Sequence, residues 1–528
     1  MQFGTLVDDA GRGLYWAAYD GEIIPKRFVM DNPQGTEAIA LKIGQVPVNA
    51  PQPGVDYASP YPVVLGATTG DWGDAARMYR AWALKQKWCR RGPLEQRTDV
   101  PQVVKETDIW MRGHGKYGRE AHVAFARQVR EVLGGSLGYQ FYSWSPNDNG
   151  SDPLRWPPEE WFIPLVKQLA AEGVLVTPYL NSLQWDTQCP SWPAGMEKWT
   201  LTGFSGQPIP DVATGAGKPL MICAASPTFR EALVKASVRL VKEAGVAGIY
   251  LDQLGGQCGS PCYSAEHGHP VGAGGFGADG VREFCQAIRD AIRQVNPQAF
   301  VSGETPPESL LDVIDLRLNA YNVWPGWVNL WAAVYGDQVP SYGRTIAWRG
   351  PQGDGDNFYA GCGNTFVSGV QFARLWPTGN PANVLTAPDL GDVRAYFQQV
   401  VGLRRAARKF LTYGWLQRPV RFLSEVPELT VTDPKNRPMK IAAVLATAWA
   451  AYDGTLGFVF TNISAQPQTV QWRADLSHHE IKPGQRYALT FLRADSRREA
   501  AGEVTGQLLQ RTERMPAHSA FVLEVRAQ

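Results

Sequence analysis

Short apolar runs that stop abruptly at a polar or charged residue recur through the middle of the chain, with apolar positions at helical spacing between them. The segment from Ser226 to Glu304 shows the pattern best. Ser226 can cap a helix, Pro227 fits its first turn and Gly245 can end it at Ala244. Phe229, Leu233, Leu240, Val241 and Ala244 then share one stripe. Gly245–Asp252, GVAGIYLD, reads as a strand buried on both faces that ends in an acid. Asp279–Val295 predicts a second helix, which Asn296-Pro297 ends. Ala299–Ser302 predicts another buried strand, with Glu304 just past its end. Helix, strand, acid, helix, strand, acid is the rhythm of a parallel α/β fold, whose chemistry sits at the carboxyl ends of the strands.

The same alternation extends both ways. Thr107–Met111, Gly138–Trp144 and Val174–Tyr179 predict three earlier strands, and Val313–Leu318, Thr345–Trp348 and Val367–Leu375 three later ones. Helices are expected over Ala121–Leu133, Glu159–Glu172 and Leu390–Phe410. Eight strands with mostly helical connections predict a (β/α)8 TIM barrel over residues 101–411, with long loops at Ser182–Ala225 and Gln253–Ala278. Gly113, Gly115 and Gly118 fit G-x-G-x-x-G, which would suit an open doubly wound sheet. No acid closes the second strand to hold a ribose, so that alternative is weaker. Residues 1–100 read as a β-sandwich-like domain, with strands at Gly13–Ala18 and Ile39–Ile43 and a linking helix over Asp71–Lys87. Residues 412–528 predict a C-terminal β-sandwich, with strands at Lys440–Ala448, Gly457–Asn462, Thr469–Trp472, Arg486–Phe491 and Ala520–Val525.

Composition narrows the partners. Lys and Arg number 51 against 50 Asp and Glu, a balance that offers no basic footprint for nucleic acid or an anionic membrane. No apolar run reaches the ~20 residues of a membrane span. The N-terminal residues lack a basic and apolar leader, so the expected location is the cytoplasm, or outside the cell after removal of a signal peptide. Seven cysteines do not form the pattern of a disulfide scaffold. The 19 Trp, 19 Tyr and 20 Phe stand out, and many lie near predicted strand ends. Aromatic faces suit the apolar faces of sugar rings, and a carbohydrate is the expected partner.

Two carboxyl groups on neighbouring strand ends can face each other across a barrel mouth. Glycosidic bond cleavage needs such a pair, held ~5–5.5 Å apart in retaining enzymes. Asp252 is the expected nucleophile and Glu304 the expected general acid/base, its pKa raised if the pocket is apolar. A plainer reading has each acid bonded to backbone N–H groups or to Arg112 or Arg317. Trp110, Arg112, Trp144, Tyr179, Asn181, His267, His269, Asn322 and Trp348 are the expected pocket lining. Asp315, inside the predicted sixth strand, is the best alternative acid, and Asp312, Asp354 and Asp356 are reserves. No metal or other cofactor is expected. Cys258, Cys262, His267 and His269, spaced C-x3-C-x4-H-x-H, nevertheless could bind zinc, and Cys258 and Cys262 could form a disulfide. The rival readings are therefore a carbohydrate-binding barrel without turnover and a metal-dependent enzyme using this loop. HExxH and P-loop motifs are absent.

Three stretches carry a family resemblance. GDWGDAARMYRAWA at Gly70–Ala83 looks like the helix that joins an N-terminal β-sandwich to the barrel in several glycoside hydrolase families. GIYLDQ, then CYSAEHGHPVGAGG at Cys262–Gly275, then SGETPPE, resembles a glycoside-hydrolase-like family known mainly as a domain of unknown function. That group is related to the endo-α-N-acetylgalactosaminidases and, more distantly, to α-amylase-type barrels. The resemblance implies a nucleophilic Asp after the fourth strand and an acid/base Glu after the fifth, which Asp252 and Glu304 match. The α-amylase pattern has an Arg two residues before the nucleophile, where this chain has Tyr250.

Overall fold

The computed structural model describes all residues except 33–37, 49–55, 147–150, 211–217, 273, 275, 320–326, 346–354, 378–383, 433–436, 480 and 482–485. Asn322, Trp348 and Asp354 lie outside the described residues. In the N-terminal region, β1 (Phe3–Val7), β2 (Arg12–Ala18) and β5 (Val63–Thr69) form an antiparallel sheet. β3 (Lys26–Asp31) and β4 (Ala40–Gln45) form a separate hairpin. Helix α1 (Trp72–Ala83) follows, started by a capping box in which Asp71 accepts from Gly73 and Asp74 answers back. Its Arg80 reaches Asp337 of the barrel, and Arg418 of the C-terminal domain pairs with Asp74. One helix thus ties three regions together.

Eight parallel strands close into a barrel. They are β6 (Thr107–His114), β7 (Ser136–Tyr142), β8 (Val174–Asn181), β11 (Gly248–Asp252), β12 (Phe300–Glu304), β13 (Leu316–Leu318), β14 (Ser341–Thr345) and β15 (Gln371–Leu375). The open-sheet alternative is therefore excluded. Between β8 and β11 the chain inserts a small hairpin, β9 (Gln184–Asp186) with β10 (Pro219–Met221). The outer helices include α2 (Gln102–Glu106), α3 (Arg119–Leu133), α4 (Phe162–Ala171), α5 (Pro227–Arg239), α6 (Leu254–Cys258), α7 (Phe276–Val295), α8 (Leu330–Tyr335), α9 (Gly355–Val367) and α10 (Gly391–Ala406). The signals for α5 act as expected. The Ser226 hydroxyl accepts from the Phe229 N–H, and Gly245 takes the left-handed conformation (φ 75°) that ends the turn before β11.

The barrel interior is filled. Trp110, Tyr179, Tyr250, Phe300, Leu316, Leu318 and Tyr342 pack across the axis, as expected for a core built of layers of inward side chains. Three strand boundaries differ from the sequence expectation. The sixth strand is only Leu316–Leu318, so Asp315 precedes it, and the seventh ends at Thr345. The eighth begins at Gln371, because Val367 closes a helix. A continuous apolar run reads the same in a buried helix and a buried strand, so its spacing could not place that boundary.

The C-terminal domain packs a six-stranded sheet against a three-stranded one. The first contains β21 (Leu456–Asn462) and β26 (Ser519–Ala527), and the second contains β22 (Gln468–Asp475). Phe458, Phe460, Trp472 and Leu523 fill the space between. Among the described residues, no helix is long and apolar enough to cross a membrane.

Candidate active site

Asp252 is the last residue of β11 and Glu304 the last of β12. The two strands pair in parallel with Leu251 beside Gly303, so the acids fall in the next row. Tyr250 points into the barrel interior. Side chains alternate along a strand, so Asp252, two residues on, points the same way. Asn181 of β8 lies beside Asp252, and Leu318 of β13 beside Glu304. Asn181, Asp252, Glu304 and Leu318 therefore form one row across four adjacent strands. Tyr179 and Tyr250 lie in the row beneath.

The carboxyl groups of Asp252 and Glu304 hydrogen-bond each other. Their surroundings differ. Tyr250 donates its hydroxyl to Asp252 Oδ1 at 2.8 Å, and the Tyr179 hydroxyl bonds the same carboxylate. Asn181 supports that second contact by donating Nδ2–H to the Tyr179 oxygen at 3.0 Å. Burial raises Asp252 above the usual carboxylate range, and the two hydroxyls oppose that rise. Among the described residues, no hydroxyl is seen to donate to Glu304. Burial first, then the Asp252 charge and the bond between the two acids, push it up to about 7. The hydroxyls thus favour the charged form of Asp252, while burial and its neighbour's charge favour the protonated form of Glu304.

Cationic and aromatic groups complete the wall. Arg374 on β15 donates Nη2–H to the Tyr142 hydroxyl at 3.0 Å and favours the charged form of both acids. The Arg112 guanidinium lies between the rings of Tyr142 (4.2 Å) and Trp376 (4.5 Å). Its buried Nε–H has no hydrogen-bond partner among the described residues. Neither Arg112 nor Arg317 forms an ion pair with the two acids. The Arg317 guanidinium stacks on Trp331 at 4.0 Å.

The other expected lining residues separate by environment. Tyr179 and Asn181 stand at the site, but Asn181 is fully engaged: it also donates to Gln253 and accepts from the Leu183 and Gln184 N–H groups. It positions rather than binds. Trp110 is 1% exposed in the barrel interior and bonds Gln371, so its face is unavailable to a ligand. Trp144 is fully buried, with its Nε1–H on the Tyr179 carbonyl. Both are packing residues, because their rings fill layers that the fold closes. His267 and His269 face thiols, not the two carboxyls: His267 Nδ1 lies 3.3 Å from Cys262 Sγ and His269 Nε2 lies 3.3 Å from Cys223 Sγ.

The reserve acids also resolve. Asp315 is fully buried at the amino end of β13, bonded by Arg289, Arg293 and the Val301 N–H. It lies on the far side of the barrel from the mouth and cannot replace Glu304. Asp312 is likewise held by Arg282 and Arg90. The expected Cys258 is not part of the thiol–imidazole group. It ends α6 and packs into the outer core, while Cys223 takes the fourth place. Arg374, Tyr142 and Cys223 were missed by sequence reasoning. Arg374 lay within a run read only as apolar, and Cys223 lies far along the chain from the motif it completes.

The model of the domain of unknown function DUF6259 matches residues 57–346, more than half of the chain and both acids. The chain belongs to the DUF6259 family. A Bacteroides thetaiotaomicron protein named "Putative glycoside hydrolase" is 25% identical over 78% of this chain and 60% of its own length. A Monosiga brevicollis protein, "Putative glycoside hydrolase 22789", is 27% identical over 65% of this chain and 32% of its own. This chain thus spans less than two thirds of the first relative and about a third of the second. Among solved structures, the α-N-acetylgalactosaminidase of Bifidobacterium bifidum superposes with a TM-score of 0.62 at 14% identity, over 87% of this chain and 73% of that one. That likeness establishes a shared fold for this DUF6259 member.

Proposed function

We propose that this chain is a retaining glycoside hydrolase acting on α-linked sugars, with Asp252 as nucleophile and Glu304 as general acid/base. The observation that carries the reading is the hydrogen-bonded pair at adjacent strand ends, with Glu304 raised to about 7 while two tyrosine hydroxyls support Asp252. Two acids in environments that separate their protonation are what the acid and nucleophile roles require. Their close approach fits the short separation of retaining enzymes, since inverting pairs stand ~6.5–9.5 Å apart to admit a water.

In this mechanism Asp252 Oδ attacks the anomeric carbon as Glu304 protonates the departing glycosidic oxygen. A glycosyl ester forms on Asp252 and the glycosidic C–O bond breaks. Glu304, now a carboxylate, takes a proton from water, which attacks the same carbon and releases Asp252. Arg374 lies close enough to favour the anionic forms. Arg112, stacked between Tyr142 and Trp376, offers a donor to a sugar hydroxyl or acetamido oxygen. The glycoside hydrolase reading draws on the relatives' names, and the α preference on the α-N-acetylgalactosaminidase that shares the fold.

The test is hydrolysis of α- and β-linked aryl glycosides, including N-acetylgalactosaminides and galactosides, with the product anomer followed by NMR. Turnover of α-glycosides with retention, lost in Asp252→Ala, is expected. Inversion would remove the covalent role of Asp252. Binding without turnover on oligosaccharides as well would favour a non-catalytic carbohydrate-binding barrel.

A further inference from the structure

Away from the two acids, four soft donors converge. The ligand atoms of Cys223, Cys262, His267 and His269 all lie within 4.8 Å of one another. We propose that these four residues form a structural zinc site, which clamps the loop following Asp252 to the segment that enters α5.

The donor set is that of closed, four-coordinate zinc sites. Tetrahedral zinc, with bonds of ~2.3 Å to sulfur and ~2.05 Å to nitrogen, sets S and N ~3.6 Å apart. The two Sγ–N distances here are 3.3 Å. The imidazoles are also oriented for it. His267 donates Nε2–H to the Lys198 carbonyl, and His269 donates Nδ1–H to the Pro270 carbonyl at 2.8 Å. Each ring therefore turns its unprotonated nitrogen toward the thiols. An outward N–H fixed on a backbone carbonyl is the usual support of a metal-bound histidine.

Burial strengthens the inference. Cys223 and Cys262 are fully buried and His267 is 6% exposed. Trp199 stacks on His267 and Phe276 on His269, at 5.2 and 3.7 Å between ring centroids. Zn2+ binding releases both thiol protons to solvent, and two thiolates with two neutral imidazoles then balance the ion. No net charge is left in the apolar shell. Four protein ligands leave no open position, so the metal holds structure and takes no part in hydrolysis. The loop it fixes starts at Gln253, whose N–H bonds Glu304, so the clamp bears on the mouth of the barrel.

The test is metal analysis of the full chain produced with zinc supplied. One zinc ion per chain is expected, lost in Cys223→Ser and in His267→Gln but retained in Cys258→Ser. Cobalt(II) loaded into the wild-type chain reports on the site even if those variants fail to fold. Visible bands of tetrahedral cobalt with thiolate charge transfer are expected. A chain that holds no zinc and gives no such bands would overturn the proposal. So would zinc kept by Cys223→Ser but lost by Cys258→Ser. Sulfurs that react with a thiol reagent only after reduction, in a metal-free chain, would identify a Cys223–Cys262 disulfide and reject the metal.

Discussion

Replacing Tyr250 by Phe removes one hydroxyl and keeps the ring that fills the barrel layer. That hydroxyl donates to Asp252 Oδ1 at 2.8 Å. A hydrogen bond to a charged acceptor contributes ~1.5–3 kcal/mol, and one pKa unit is ~1.4 kcal/mol. Losing it should raise the pKa of Asp252 by about one to two units, since the Tyr179 hydroxyl remains. The proposed reaction needs Asp252 ionised and Glu304 protonated. kcat/KM should therefore be bell-shaped in pH, with limbs that belong to the pair. In the wild type the basic limb should lie near 7, where Glu304 is placed. In Tyr250→Phe the acidic limb should move up by about one to two units while the basic limb stays close to its place. The window narrows, and kcat/KM at the optimum falls by about tenfold. The assay is a pH series with an aryl α-glycoside. A variant slower by that factor with its acidic limb unmoved would refute the idea that Tyr250 supports the charged nucleophile. A shift confined to the basic limb would assign the two carboxyl roles the other way round.

Glu304→Gln should abolish turnover yet stabilise the fold in base. The folded pKa is raised, about 7 against 4.5, so wild-type stability is full below 4.5 and falls as pH rises through 7. Gln escapes that loss, gaining up to about 3 kcal/mol above pH 8 and nothing below 4.5, as read by denaturant melts across pH. Asp315→Asn should cost ~3–5 kcal/mol of stability, because it strips a buried partner from Arg289 and Arg293. Its kcat/KM profile against pH should match the wild type, and a lost basic limb would reinstate Asp315 as the acid. Arg112→Ala should raise KM by about tenfold with little change in kcat if Arg112 binds substrate uniformly, a loss of ~1.4 kcal/mol. An equal fall in kcat would instead place Arg112 in transition-state stabilisation.

The barrel was legible because its strands are continuous apolar runs closed by polar residues, and both acids fall at such closures. What the periodicity could not carry was depth. Trp110 lies midway along β6 and Trp144 just past the end of β7, yet both rings are closed into packed layers. A tryptophan beneath the mouth and one lining it have the same local sequence. Asp315 was misplaced for a related reason. Its strand is three residues long and begins at Leu316 rather than Val313, so a boundary error of three residues put a residue of the amino end inside the strand. Cys223 was hidden by distance along the chain, since the motif it completes is assembled only when α5 folds back beside the β11 loop. Arg374 carried no signal of its own, because a cation inside an apolar run reads as an interruption.

Backbone strain marks the same end of the barrel. Ser143, Arg155, Gln253, Thr305 and Arg374 all have positive φ without being glycine, and all lie at or beyond carboxyl ends of barrel strands. Such conformations cost ~1 kcal/mol or more each, so a fold keeps them only where the surroundings hold them. Gln253 and Thr305 follow the two acids directly. A strand that continued past Asp252 would carry its next N–H along the sheet ladder. The left-handed turn at Gln253 (φ 63°) instead gives that N–H to the Glu304 carboxyl. Thr305 (φ 39°) turns the other chain away after Glu304 while its N–H still reaches the Leu318 carbonyl. The two acids are thus the last residues held by the barrel and the first released by it. Position within the row comes from the rigid sheet, and the difference between their protonation states comes from groups that only the mouth supplies.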